Sequence, residues 1–315
     1  MNRELLDEIV ACLPEERTHF HYFADRFALG LLAEHGRAVD GLTTRAARQG
    51  RFAALLNKPT VKEALSGCGH ARVDPEHLLN WGLERSMAFL LALDHWGHHT
   101  EQGWYQTSRP GFNLVLQLNF TASQTRALER LGNGFAGLFN FDIHPVSKPA
   151  DRRYRETLAW SRIDLDLDTN EALIEEVQSD WVRDVRDALP ANGQAQNPWE
   201  AAVQTVVDRH FPGVLRWWHE AMLWASIWFI RCELGMRDIY FHDYETGVAL
   251  KNIRYSRPPR SLYTRLPRRF CMTPSSMGPS FLYRGGRARR VLKRLPNPRF
   301  YRLELEEQGN ARQCA

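Results

Sequence analysis

The spacing of apolar and polar residues predicts three helices in the N-terminal third of the chain. Apolar side chains recur at helical spacing over about 14–36 and again over about 74–96. A further helix is expected over about 43–56. The last of the three has a start signal, because Asp74 suits an N-cap and Pro75 suits the first helical turn.

Alternation with period two then predicts strands. One alternating stretch covers 113–120. A second covers 163–168, where the acidic residues are expected on the solvent face. Thr169 and Asn170 suit a turn, so 172–179 is expected to return as the second strand of a hairpin.

The remaining pattern alternates between helices and short strands. Helices are expected over about 121–132, 181–189 and 212–234, and strands over about 239–244 and 300–305. The predicted fold class is therefore α+β, with a helical N-terminal region followed by a mixed β-sheet with covering helices and a basic, loop-rich C-terminal segment.

Domain boundaries are expected where these patterns change. They divide the chain into a helical region over 1–105, an α+β core over 106–250 that contains the hairpin, and a basic segment over 251–315 packed on the core. A chain of 315 residues is long enough for one large domain or two ordinary ones.

Composition excludes several classes of protein. With 43% hydrophobic and 25% charged residues the chain is expected to be globular. Its longest apolar run, 221–230, is well short of the roughly 20 residues of a membrane span, so no span is expected. The five cysteines form no Cys-x-x-Cys pair, which favours reduced thiols in the cytoplasm and predicts no metal site. No motif identifies a cofactor or an oligomeric state.

Charge is strongly segregated along the chain. Residues 251–302 contain 15 Lys or Arg and no Asp or Glu, which leaves 26 of the 41 basic residues and all 37 acidic residues elsewhere. Such a segment favours an anionic partner, either nucleic acid or a phosphorylated ligand. Packing of the segment on its own acidic body would produce the same distribution, and a protein partner stays open.

The hairpin carries the first candidate site. Side chains of a strand point alternately to two faces, so Ile174, Glu176, Gln178 and Asp180 are expected to share one face. Carboxylates are costly to bury unless they are paired. Polar residues at the end of an apolar strand therefore predict a functional site, although an exposed hairpin edge, or Asp180 as a helix cap, would give the same pattern.

The hairpin also resembles a segment of very large polyvalent proteins of phages and conjugative elements. The likeness extends over about 155–270 and includes an arginine, Arg162, in the first strand, with Ser161 where the family has a histidine. The resemblance identifies a module rather than a reaction. Its most specific part is a Glu-x-Gln-Ser-Asp-Trp return strand formed by Glu176, Gln178, Ser179, Asp180 and Trp181.

Two further groups of residues are candidates. His242, in a strand rich in Tyr, Asp and Glu, joins Glu176, Gln178, Asp180 and Arg162 as a candidate for acid–base chemistry. Arginines interleaved with aromatic residues suit phosphates and stacked bases. The residues of this expected phosphate-binding or nucleic-acid-binding group are Arg254, Arg257, Arg260, Tyr263, Arg268 and Arg269.

Three functions remain open on these grounds. The first is a protein of phage or mobile-element conflict biology that acts on nucleic acid or nucleotides, with a polar strand-end site beside the basic segment. The second is a non-catalytic binding or inhibitory protein that uses its basic surface. The third is a small-molecule enzyme of acyltransferase-like fold, for which the strand–helix–strand order is compatible but the glycine-rich coenzyme A motif is missing.

Overall fold

The computed structural model describes residues 1–12, 18–39, 42–66, 72–98, 105–150, 153–255 and 257–305. The helices are α1 Arg3–Cys12, α2 Arg26–Ala38, α3 Thr44–Gln49, α4 Pro59–Ser66, α5 Pro75–Asn80, α6 Ala122–Leu131, α7 Asp180–Ala188, α8 Pro198–His210, α9 Val214–Trp228, α10 Tyr244–Leu250, α11 Arg265–Arg269 and α12 Gly286–Arg294. The strands are β1 His19–Tyr22, β2 Met87–His98, β3 Gly111–Phe120, β4 Thr157–Asp166, β5 Glu171–Gln178, β6 Asp238–His242, β7 Thr273–Ser275 and β8 Phe300–Leu303.

All eight strands form one mixed sheet in the order β1-β2-β3-β4-β5-β6-β8-β7. The first five strands are antiparallel neighbours in chain order. β6 then pairs parallel to β5, and β8 runs antiparallel to β6. A parallel pair needs a crossover connection, which α7, α8 and α9 supply between β5 and β6.

Helices pack on one face of the sheet, and the main hydrophobic core lies between them and the strands. α9 crosses β3, β4 and β5, and it is apolar nearly all round because α2 covers its other side. The opposite face is covered differently: α10 and α12 pack on Leu173 and Tyr240, while 132–150 packs over Trp160. We call the face that α9 covers the helix face, and the face that α10, α12 and residues 132–150 cover the mixed face.

The α+β class is confirmed, and the helical character of the N-terminal third fits broadly. Two strands nevertheless lie where helices were expected. β1 lies in the first part of the predicted 14–36 helix, of which 14–17 lies outside the described residues, and α5 ends at Asn80 before β2 begins at Met87. The apolar run in β2 is compatible with a helix or with a strand, and it forms a strand because it pairs with β3 along ten residues.

Two details of the predicted strands also differ. Asp164 of β4 is buried rather than solvent-facing, because its carboxylate accepts hydrogen bonds from Arg109 and from the amino group of Met1. The strand expected over 239–244 ends at His242, since Asp243 accepts a hydrogen bond from the backbone N–H of Thr246 and so caps α10. In the part of the chain that the structure describes, no helix is both long and apolar enough to cross a membrane.

The contact between α2 and α9 depends on a glycine, and this gives a stability prediction. A Cβ atom at Gly30 would lie 2.0 Å from the Trp224 ring in the core. Gly30→Ala should therefore lower the free energy of unfolding by about 1–3 kcal/mol in urea denaturation, despite the better helix propensity of alanine. Gly50→Ala is the matched control, because its Cβ would meet no atom closer than 3.6 Å. Equal effects of the two substitutions would contradict the close approach of α2 and α9.

Candidate functional site

A bulge in the hairpin places two carboxylates on the same face of the sheet. Arg162 pairs with Glu176, but the next residue of β4, Ile163, pairs with Ile174, so Glu175 is an extra residue in β5. Ile174 lies in the core on the helix face, whereas Glu175 and Glu176 both lie on the mixed face with Arg162. The expectation that Ile174 shares a face with Glu176 is therefore wrong, because the bulge reverses the alternation.

The first part of the site is a buried charge cluster. Arg162 donates a hydrogen bond to the Glu176 carboxylate, and Lys251 Nζ lies 3.4 Å from the same oxygen. Arg162 also donates to the carbonyl oxygen of Tyr105 at 2.7 Å, and Lys251 donates to the backbone carbonyl of Glu175 at 3.1 Å. This inner cluster thus joins β4, β5 and the first residue of the basic segment.

The two neighbouring glutamates have opposite electrostatics. Burial alone would raise the pKa of Glu176, but Arg162 and Lys251 hold it down at about 2. Burial raises the pKa of Glu175, whose carboxylate accepts hydrogen bonds from the backbone N–H of Ser108 and from no other described residue. Burial also lowers the pKa of Lys251, which Glu176 partly offsets. Glu176 is consequently a fixed negative charge rather than a proton acceptor.

His242 lies beside this cluster in a closed environment. Its ring stacks on Tyr263 with centroids 5.4 Å apart, and it is only 1% exposed. Burial, and then the nearby charge of Lys251, lower the pKa of His242 to about 3. The imidazole is therefore neutral and packed, which makes it unsuited to exchange protons with a substrate.

The second part of the site opens to solvent. His144 Nδ1 lies 2.7 Å from Asp180 Oδ2, and the side chain of His144 is 23% exposed. Gln178 and Arg183 donate to the other oxygen of Asp180 at 3.1 and 3.0 Å. Burial would raise the pKa of Asp180, but the hydrogen bond from His144 and these further donors lower it, so the carboxylate is ionised.

The hairpin and the helix that follows position this outer group. Gln178 ends β5, and Ser179 caps α7 by accepting a hydrogen bond from the backbone N–H of Val182. Asp180 thus begins α7 next to the strand end. The residues 132–150 bring in His144, whose carbonyl oxygen accepts a hydrogen bond from Lys148.

The expected phosphate-binding residues are not equivalent in the structure. Tyr263 is 1% exposed, so it presents no ring to a base, contrary to expectation. Arg269 pairs with Glu220 at 2.5 Å, and Arg260 pairs with Glu245 at 2.5 Å. The remaining three, which are exposed and pair with no acidic side chain that the structure describes, are Arg254, Arg257 and Arg268.

Sequence reasoning missed two important residues. His144 lies in an irregular stretch that has no periodicity to mark it, and it reaches Asp180 across 36 residues of chain. Lys251 counts in the sequence as one more cation of the basic segment, but it is 1% exposed and belongs to the inner cluster. Its position directly after an apolar helix is the only local signal of burial.

Comparison with known proteins finds no match to this chain among protein-family models, curated proteins or solved structures. The site is consequently defined by its own geometry.

The contrast between the two glutamates gives a prediction. Glu176→Gln leaves two buried cations without a counter-charge and should lower the free energy of unfolding by about 3–5 kcal/mol. Glu175→Gln removes a carboxylate that is poorly stabilised where it lies, and we expect a change of about 1 kcal/mol or less. Urea denaturation at neutral pH measures both. A decrease at Glu175 as large as the decrease at Glu176 would contradict this account.

The low pKa of Glu176 predicts a specific loss of stability in acid. A carboxyl whose pKa falls from 4.5 to about 2 on folding stabilises the native state above pH 4.5, by about 3 kcal/mol, and this contribution disappears as the pH falls toward 2. Denaturation curves of the parent and of Glu176→Gln should therefore converge over that window. A difference in stability that stays constant from neutral pH down to about pH 3 would show that Glu176 is not held ionised.

Proposed function

We propose that the protein binds single-stranded nucleic acid through its basic C-terminal segment, and that it works in the cytoplasm in phage or mobile-element biology. The observation that carries the proposal is a set of exposed cations in this segment that have no acidic partner among the described residues. The hairpin's resemblance to polyvalent phage and conjugative-element proteins supports the biological setting.

The basic segment divides into paired and free cations. Five of its 15 basic residues pair with acidic side chains of the body, namely Lys251, Arg260, Arg269, Arg284 and Arg302. Eight others are exposed, and their side chains form no ion pair or hydrogen bond with another described residue. These free cations are Arg254, Arg257, Arg265, Arg268, Arg289, Arg290, Lys293 and Arg294.

The division into paired and free cations indicates what kind of partner the basic segment binds. Packing on the acidic body accounts for the paired cations only, and a surface with unneutralised guanidinium groups attracts phosphate-rich polyanions. The solvent face of α12 alone contributes four of the free cations, whereas its Ala288 and Leu292 are buried. Release of counterions from the nucleic acid would supply much of the affinity.

A stacking platform favours a single strand over a duplex. Tyr255 is 83% exposed and lies in the chain next to Arg254 and two residues before Arg257. The bases of a single strand are free to stack on an aromatic ring while guanidinium groups hold the phosphates. Tyr255 therefore takes the place that Tyr263, which is buried, was expected to have.

Removal of this platform should weaken binding in two separable ways. Arg254→Gln with Arg257→Gln should reduce the steepness of the plot of log affinity against log salt by about 0.7 for each phosphate that the protein no longer neutralises. Tyr255→Ala should weaken binding by about 1–3 kcal/mol with little change in that slope. Fluorescence anisotropy of labelled DNA and RNA oligonucleotides, titrated between about 50 and 200 mM salt, measures both effects.

The control is a matched change of charge elsewhere. Arg45 and Arg48 of α3 are also exposed, and Arg45→Gln with Arg48→Gln should leave the slope unchanged. Absence of binding to any oligonucleotide at low salt would overturn the proposal and favour a partner of another class. A duplex bound more tightly than the single strand would overturn the role of Tyr255.

A further inference from the structure

We infer that His144 and Asp180 form a general-base site that cleaves the phosphodiester backbone of RNA. The inference rests on the proposed function, because it takes a single strand bound by this protein as its substrate. It places the chemistry in the outer, solvent-facing group rather than at Glu176.

The first support is the state of the imidazole. An ionised carboxylate is a hydrogen-bond acceptor only, so the 2.7 Å contact with Asp180 requires the proton of His144 to be on Nδ1. In the neutral form of the ring the lone pair is then on Nε2, which forms no hydrogen bond with any residue of the described ranges and belongs to a side chain that is 23% exposed. Gln178 Nε2 also lies 3.3 Å from Nδ1, and with the proton on Nδ1 it donates to Asp180 instead. A buried carboxylate that orients a partly exposed imidazole is the arrangement of a general base.

The second support is the set of groups around the imidazole. One oxygen of Asp180 holds His144 and the other holds Arg183, so that the base and a guanidinium group lie on either side of one carboxylate. Arg183 also pairs with Asp184 at 3.1 Å, and it remains 52% exposed while it makes both contacts. A cation placed next to a base suits a reaction in which negative charge builds up on phosphorus-bound oxygens.

The third support is an exposed aromatic ring next to the base. The ring of Phe141 lies 5.8 Å from that of His144 and is 51% exposed, and the buried Trp160 lies 5.6 Å away on the sheet. A large exposed ring is available for a nucleobase to stack on. The imidazole of His144, the guanidinium of Arg183 and the ring of Phe141 together fit one nucleotide unit of a single strand.

One reaction that a single histidine base supports is attack by a nucleophile within the substrate itself. His144 Nε2 takes the proton from a ribose 2′-hydroxyl as its oxygen forms a bond to the adjacent phosphorus. The bond from phosphorus to the 5′-oxygen of the next nucleotide breaks, and that oxygen takes a proton from water. His144 then returns its proton to solvent, and the products are a 2′,3′-cyclic phosphate and a 5′-hydroxyl end.

The decisive variant is His144→Asn, because the asparagine amide can donate to Asp180 as Nδ1 does but has no base in place of Nε2. Incubation of the full chain with labelled single-stranded RNA, followed by analysis of the ends, should give cyclic phosphate with the parent protein. His144→Asn should reduce the rate by about 100-fold or more without changing the affinity for RNA. Asp180→Asn, whose amide would favour the other tautomer, should also slow cleavage.

Several outcomes distinguish cleavage by His144 from binding without cleavage and from the absence of binding. His95→Asn changes an exposed histidine of β2 and should leave the rate unchanged. RNA that binds but is not cleaved, or is cleaved equally by His144→Asn, would overturn this inference and leave the proposed function intact. Cleavage of the DNA strand of the same sequence would also overturn it, because DNA lacks the 2′-hydroxyl. Failure to bind RNA or DNA would overturn the proposed function, and with it this inference, whose substrate is the bound strand.

Discussion

Burial of Glu176 between Arg162 and Lys251 is the interaction on which the arrangement of this protein depends. A lone carboxylate at that depth would be strongly destabilising, and removal of Glu176 would leave two buried cations without a counter-charge. The three residues belong to β4, to β5 and to the end of α10, so the charge requirement fixes the position of one element relative to the next. The basic segment starts at this anchor, Lys251; its first part, with Tyr263 and Phe270, packs in the main core, and α12 packs on the mixed face.

The bulge at Glu175 explains why the polar residues fall into two groups. It turns Glu175 and Glu176 to the same face and thereby brings two buried carboxylates to the inner cluster. Past the bulge the strand ends at Gln178, where Asp180 begins a helix and meets His144 near solvent. The inner group is closed, and the charge of Glu176 in it is paired with two cations. The outer group keeps a partly exposed imidazole whose Nε2 forms no hydrogen bond with a described residue. The buried charge cluster and the solvent-facing group are thus separated along a short stretch of chain.

The positive charges of the C-terminal segment also fall into two groups. The cations that face acidic residues of the body form ion pairs that hold the C-terminal segment on it. Other cations face solvent and pair with no acidic side chain that the structure describes. Arg269, which joins α11 to Glu220 of α9, is of the first kind. Arg254 and Arg257, on either side of the exposed Tyr255, are of the second kind. The basic segment therefore contains two kinds of cation, which only the positions of their acidic partners distinguish.

The sequence by itself determined those features that depend on local periodicity and on composition: the hairpin of β4 and β5, the helices α6, α7 and α9, the α+β class and the segregation of charge. Only the tertiary structure decided what depends on contacts between distant residues. The strand character of β2, the burial of Lys251 and Tyr263, and the pairing of His144 with Asp180 are of this kind. A bulge of one residue also has no signature in an alternating pattern, because the pattern assigns faces on the assumption that pairing is regular. The physical reason is common to all of them: burial and ion pairing are set by which residues meet in space, and local spacing does not contain that information.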